Sequence, residues 1–425
     1  VSLVFALLPA APLQAQAVDT ASMRAAAREF LAGCDGGTRL WGKSLCGPLV
    51  IVDPETRFAI ATARPASGEW WNHDGLFAGQ LPPDVKVANT ALDWNGERWS
   101  FVLAPVPTDP VLRRGLLFHE AFHRIQPALG LDGRDRLNAH LDERDGRYLL
   151  RLELRALSAA VLARDPASSA ALQDALLFRA RRQQLYPGAD TLEAALEKVE
   201  GLPEYTGVRM ALAGRAGDSA IARAATDFEQ RPSYARALGY GTGPMMGVLL
   251  DRLRPGWRGR ITNEGFAAQL PLAINWKAPP DLAHAVDRRA TVYGGAMVAK
   301  EEDARATARL ALKNDYRQRL SAGSVLLLPA RKLNMSFNPN TVVPMDSLGT
   351  VYPTGSFTDG WGTIEVTAGG ALVSPMFDAV RVPAATSLMA KGSVVVGQGW
   401  TLTLKPGWKL APGNRPGDYT LVEGP

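Results

Sequence analysis

The stretch His119-Glu120-Ala121-Phe122-His123, set in Val111-Leu-Arg-Arg-Gly-Leu-Leu-Phe-His-Glu-Ala-Phe-His-Arg-Ile-Gln126, decides how the rest of the chain is read. A spacing of four puts both imidazoles on one face of a helix, one turn apart, where two ring nitrogens can meet a single metal ion. Glu120 stands one residue beyond the first imidazole, placed to handle the proton of a water held by that ion. The competing explanation is a partly buried polar seam, since five letters with two wild cards recur by chance. The setting argues against it. Leu116, Leu117 and Phe122 make the helix otherwise core-facing, and two of the chain's five histidines fall here.

Upstream of this helix the text is β-rich. Gly47-Pro-Leu-Val-Ile-Val-Asp-Pro54 and Thr56 to Ala63 predict an antiparallel pair turned at Pro54-Glu55. Lys86 to Trp94 and Glu97 to Leu103 flank Asn95-Gly96, the strongest short hairpin signal. Pro105, Pro107 and Pro110 then stop the sheet and start the H-E-x-x-H helix. Strands leading directly into such a helix resemble the order in zincin peptidases, whose edge strand lines the substrate groove.

Downstream the periodicity is helical. Helices are expected over about 139–163, 168–185 and 191–199, then from Glu200 onward, over 218–229, 243–253 and 302–320. Near Ser324 charge falls, Gly and Pro recur, and short apolar runs such as Val325–Leu328, Gly362–Val366 and Trp400–Leu404 predict an all-β sandwich or barrel. The expected fold class is therefore α+β. A β-rich part (18–110) and a helical part (111–320) together form a zincin-like catalytic unit, followed by a C-terminal all-β module (324–425).

A catalytic zinc usually takes three protein ligands and keeps one position open for water. His123 is followed by Arg-Ile-Gln-Pro-Ala-Leu, so the third histidine of the metzincin extension is missing. Downstream carboxylates compete instead. Glu143 has mostly polar helical neighbours and reads as surface. Glu153 shares a face with Leu149, Ala156, Leu157 and Ala160, where an ionised carboxylate needs a partner. That partner is a metal, or Arg151 and Arg155 nearby. Glu264 lies in Asn263-Glu-Gly-Phe-Ala267, which matches a zinc aminopeptidase element but reads as an ordinary helix start.

Glu200-Gly-Leu-Pro-Glu-Tyr205 resembles most closely the E-G-x-A-x-Y element of the gluzincin peptidases, the clan of thermolysin and the zinc aminopeptidases. The resemblance spans about residues 85–250 and implies Glu200 as the third ligand to Zn²⁺ beside His119 and His123, with Glu120 as general base. Pro203 replaces the usual Ala, and the spacer after His123 is longer than in that clan. An oxyanion partner is also implied. Tyr205, Tyr240 and His284 are candidates, with Tyr240 preferred because Gly239-Tyr-Gly-Thr-Gly243 is a backbone-permissive segment. The chain as a whole also resembles a group of exported bacterial proteins.

Composition bounds the remainder. In 425 residues, 46% are hydrophobic and 21% charged, enough for two or three packed units. The net charge of +5 comes without a dense basic run or a basic-aromatic ribbon, so nucleic acid is not implied. No G-x-S-x-G, free-cysteine signature or phosphate-cradling glycine loop is present. Residues 1–17 read as a signal peptide with a truncated start: a short apolar run, then Ala15-Gln-Ala17 as a cleavage signal. That run is too short and too rich in proline for a membrane span, and an exported protein, periplasmic or extracellular, is expected. Cys34 and Cys46 then predict one disulfide rather than two free thiols. The function these readings predict is an exported zinc metallopeptidase acting on peptide or protein substrates, its C-terminal module docking on a surface or partner. Two alternatives stand beside it: a non-catalytic exported binding protein, and a zinc hydrolase of non-peptide substrates.

Overall fold

The computed structural model describes residues 18–134, 136–212, 214–338, 341–384 and 388–424. The expected signal peptide, residues 1–17, lies outside the described residues. The architecture is mixed α+β, with helices and three sheets that are mostly antiparallel and none of them closed.

The first sheet contains β1 (Leu49–Val52), β2 (Phe58–Ala61), β3 (Trp70–His73), β4 (Leu76–Gln80), β5 (Thr90–Trp94) and β6 (Glu97–Leu103), in the order β3-β4-β2-β1-β6-β5. Both expected hairpins form. Asn95 and Gly96 turn β5 into β6 with φ of 53° and 81°, the positive pair that a two-residue turn needs. Two features were not anticipated. β1 and β6 pair in parallel, and Asp74-Gly75 turns a further hairpin, β3–β4. Trp70-Trp71-Asn72-His73 has little of the branched alternation that marks a strand. Alternation elsewhere sorts side chains between two layers: Leu49 and Ile51 enter the helical core, while Val50 and Val52 pack with Trp70, Trp94, Trp99 and Phe101 on the opposite face.

The H-E-x-x-H helix spans Pro110–Ile125. Asp109 caps it, accepting from the backbone N–H groups of Val111 and Leu112 at 2.8 and 3.0 Å, and Pro110 occupies the first turn where no N–H is required. Leu117, Phe118, Ala121, Phe122 and Ile125 bury one face in the main core, and the Ser100 hydroxyl of β6 donates to the Glu120 carbonyl at 3.2 Å. A second helix, Leu202–Ala211, lies against this one at very short range. A Cβ on Gly207 would come within 2.4 Å of the Gly115 carbonyl oxygen, so only glycine permits that approach.

Cys34 and Cys46 are disulfide-bonded, the pairing expected from the sequence. The loop they close carries Trp41, whose ring sits 4.8 Å from that of Phe122 and whose Nε1 donates to Thr206 Oγ1 at 3.0 Å. Trp41 thereby wedges between the H-E-x-x-H helix and the helix Leu202–Ala211.

The expected long helix over 139–163 divides into a short 3₁₀ turn, Ala139–Asp142, and a helix, Arg144–Leu162, with Glu143 exposed at the junction. The C-terminal region contains a seven-stranded and a six-stranded sheet. Leu326, Val380 and Val382 from one and Phe357, Ile364, Trp400 and Leu402 from the other share one core, so the arrangement is two stacked open sheets. Strands such as Ala379–Pro383, Trp408–Pro412 and Tyr419–Glu423 add to those expected. Among the described residues, no helix is long and apolar enough to cross a membrane.

Candidate metal centre

Three side chains converge in the cleft beside the H-E-x-x-H helix. His119 Nε2 and His123 Nε2 are 3.1 Å apart, and Glu200 Oε2 lies 3.4 Å from the first and 3.6 Å from the second. Tetrahedral donors about 2.0–2.1 Å from a zinc ion stand about 3.3 Å from one another. The three distances bracket that value, so His119, His123 and Glu200 form a group able to hold a metal ion.

Local structure explains how Glu200 arrives there. A helix over Ala189–Leu196 passes into a π-helical turn, Glu197–Gly201, which runs on into Leu202–Ala211. A π turn adds a residue to the helical repeat and rotates the residues beyond it, a device frequent at functional sites. Pro203 is the second residue of the succeeding helix and offers no N–H to the turn before it, where Gln126 Nε2 donates to the Lys198 and Val199 carbonyls at 3.0 and 3.4 Å instead.

The next shell orients these donors. Glu204 Oε2 lies 2.8 Å from His119 Nδ1, and Gln126 Oε1 lies 3.0 Å from His123 Nδ1. Each imidazole thus has a partner on its far nitrogen, which directs Nε2 toward the shared centre. Gln126 is itself anchored, its Nε2 donating to the Lys198 carbonyl at 3.0 Å. Tyr240, on the helix Leu238–Leu253, stacks on His119 with ring centroids 5.5 Å apart, and its hydroxyl donates to Glu200 Oε2 at 2.7 Å.

Glu120 is only 4% exposed, and its Oε2 is buried without a hydrogen-bond partner, beside the three converging donors and lining the same cleft. Burial raises its pKa, with the neighbouring carboxylates adding to the rise and the two imidazoles opposing it. For Glu200, burial acts upward too, yet hydrogen bonds and charge from His119 and His123 hold it well below the usual carboxylate range. Burial opposes protonation of His119, but Glu200, Glu204 and Glu120 outweigh it and push its pKa up to about 10. The carboxylates around the two imidazoles therefore favour positive charge between them.

The cleft has a volume of about 750 Å³. One wall is the edge strand β5 through Thr90 and Ala91. The other is apolar, formed by Leu116, Val208, Leu212 and Ile221.

The remaining sequence candidates lie elsewhere. Glu153 is buried and pairs with Arg179 and Arg182, both at 2.6 Å, rather than with Arg151 and Arg155. Those two arginines serve Glu229, Glu301 and Glu302. Glu264 pairs with Arg254. Tyr205 is fully buried, its ring against Trp41 and Trp257, its hydroxyl donating to Asp251. His284 is exposed in the first turn of the helix Leu282–Ala290, its backbone N–H donating to Asp281. Of the three tyrosine and histidine candidates, the structure brings only Tyr240 to the cleft. Glu204 and Gln126 went unread in the sequence, although helical spacing held the signal: Glu204 follows Glu200 by four residues, and Gln126 follows His123 by three. Comparison of the chain with protein-family models, with curated proteins and with solved structures finds no match in any of the three.

Proposed function

We propose that this protein is an exported zinc-dependent hydrolase that cleaves peptide bonds, with His119, His123 and Glu200 as the metal ligands. The observation that carries the reading is the convergence of two imidazole nitrogens and one carboxylate oxygen within 3.1–3.6 Å, beside a buried carboxylate with a free oxygen. A zinc ion held there would supply Lewis acidity, lowering the pKa of water toward ~7 and polarising a substrate carbonyl.

The chain's own groups divide the remaining work. Glu120 accepts the proton of the attacking water on its free Oε2 and returns it to the leaving amine. Its burial raises the basicity of that oxygen relative to a solvated carboxylate. Glu204 and Gln126 hold the imidazole orientations, so the donors need not reorganise during turnover. Tyr240 donates to Glu200 and, by rotation of its hydroxyl, to an oxygen bound alongside it. Among the described residues β5 pairs only with β6, which leaves its outer edge to hydrogen-bond an extended peptide laid along the cleft.

The test is metal content and peptidase turnover of the purified chain and of Glu200→Ala. About one zinc per chain, lost from the variant together with hydrolysis of an unstructured protein substrate, supports the reading. A wild-type chain that takes up no metal from zinc-containing buffer overturns it.

A further inference from the structure

Behind the cleft lies a buried charged cluster that the proposed chemistry does not use. Glu153, Glu193, Glu197 and Arg182 have at most 1% exposure, and Arg179 has 8%. Removing such charges from water is expensive, and apolar replacements of similar size often match or exceed the stability of a buried pair. A role attested for buried charge in some proteins is to enforce a structural register. The position of this cluster suggests which register that is.

Glu197 opens the π turn that ends beside Glu200. Its carboxylate accepts from Arg179 Nη1 at 2.9 Å and Nη2 at 2.5 Å. It also accepts from Thr242 Oγ1 at 2.7 Å, two residues beyond Tyr240 on the neighbouring helix. Arg179 is fixed in turn by Glu153, its Nε donating to Oε1 at 2.7 Å. One carboxylate therefore ties the turn carrying Glu200 to the helix carrying Tyr240, and anchors both to the helix Ala167–Leu185. The backbones beside this tie are in contact. A Cβ on Gly243 would come within 2.4 Å of Gly201 Cα, so a small change in helix separation has no side-chain layer to absorb it.

We propose that Glu197, clamped by Arg179 and Thr242, is a positioning residue that sets where Glu200 and Tyr240 stand against the two imidazoles. The proposal rests on the reading of His119, His123 and Glu200 as metal ligands, and its action is indirect: Glu197 touches neither substrate nor metal. Thr242 is the cleaner handle, because Val at that position keeps the shape and removes the hydroxyl.

The experiment measures Zn²⁺ affinity by competition with a chromophoric chelator, and the visible spectrum of the Co²⁺-loaded protein, for the full chain and four variants. Metal-free thermal stability is followed in parallel. Thr242→Val is expected to weaken zinc binding about tenfold and Glu197→Gln about 10–100-fold, the range found when groups supporting metal ligands are removed. Both should alter the Co²⁺ bands, and Thr242→Ser should restore wild-type affinity. Glu302→Gln, which breaks a different buried pairing with Arg147 and Arg151, should lower stability and leave zinc affinity unchanged. Thr242→Val with wild-type affinity and an unchanged Co²⁺ spectrum overturns the positioning role, whether or not Glu197→Gln folds. A wild-type chain that binds neither ion overturns the metal reading and this proposal together, an outcome distinct from the first.

Discussion

Replacing Glu120 by Gln removes a charge and a basic oxygen while keeping the shape of the side chain. The structure separates its effect on turnover from its effect on folding. Glu120 is 4% exposed, and its Oε2 is buried without a partner, so the native state carries a carboxylate that protein groups solvate poorly. An amide at that position relieves part of the cost, and the metal-free variant should match or exceed wild-type stability by about 1 kcal/mol. Zinc content should stay near wild type, because Glu120 is not among the three converging donors. Turnover is expected to fall about 10²–10⁴-fold, the usual contribution of a positioned general base, equivalent to about 3–5 kcal/mol of barrier. The assay pairs steady-state cleavage of a fluorogenic peptide with metal analysis and thermal unfolding of the same preparations. Retention of most of the turnover at full zinc loading would refute the assignment of Glu120 as base. Loss of zinc along with turnover would refute the ligand set instead.

Other parts of the structure make separate predictions. Glu153→Ala should still take up one zinc per chain, at an affinity lowered with the loosened Arg179 clamp, while losing about 3 kcal/mol or more of stability, since removing one partner of a buried pair leaves Arg179 and Arg182 short of charge; loss of zinc at unchanged stability would restore Glu153 as a ligand candidate. Glu193 is depressed well below its ordinary pKa of 4.5, with burial opposing and Arg182 and His140 overcoming it, so its stabilising effect is full above about pH 5 and fades as the pH falls further. The gap between the melting temperatures of wild type and Glu193→Gln should therefore begin to narrow below about pH 5 and still be narrowing at about pH 3, and a constant gap across that window contradicts the argument. Removing the disulfide by Cys34→Ala with Cys46→Ala opens a loop of sequence separation 12 and should cost about 3 kcal/mol in chemical denaturation, with an unchanged midpoint as the contrary result.

Much of the candidate centre was legible because helical periodicity is local. Two histidines four apart meet one ion on any helix, and Asp109 and Pro110 mark where this helix begins. The hairpin at Asn95-Gly96 was equally legible, since its turn geometry depends on two adjacent residues. The gluzincin-like Glu200-Gly-Leu-Pro-Glu-Tyr205 pointed to the carboxylate that converges on the histidines, but only by resemblance. Its last residue takes no part in the centre: Tyr205 is buried against Trp41 and Trp257, because on this helix it faces away from Glu200 and Glu204.

The sequence by itself determined the H-E-x-x-H helix with its cap and apolar face and the Asn95-Gly96 hairpin, for those depend on spacing and on residues that favour caps and turns. It also marked Glu153 as a buried charge in need of a partner. Which partner was a tertiary question. Arg179 and Arg182 lie 26 and 29 residues away, and nothing in local spacing separates them from Arg151 and Arg155. The placement of Glu200 was likewise decided in three dimensions. A π turn, the Gly207 and Gly243 contacts between backbones and the Glu197 tie to Thr242 bring a carboxylate 77 residues beyond His123 within 3.6 Å of its imidazole. Ligand convergence is a property of packing between helices, and packing depends on which distant surfaces fit rather than on any one segment.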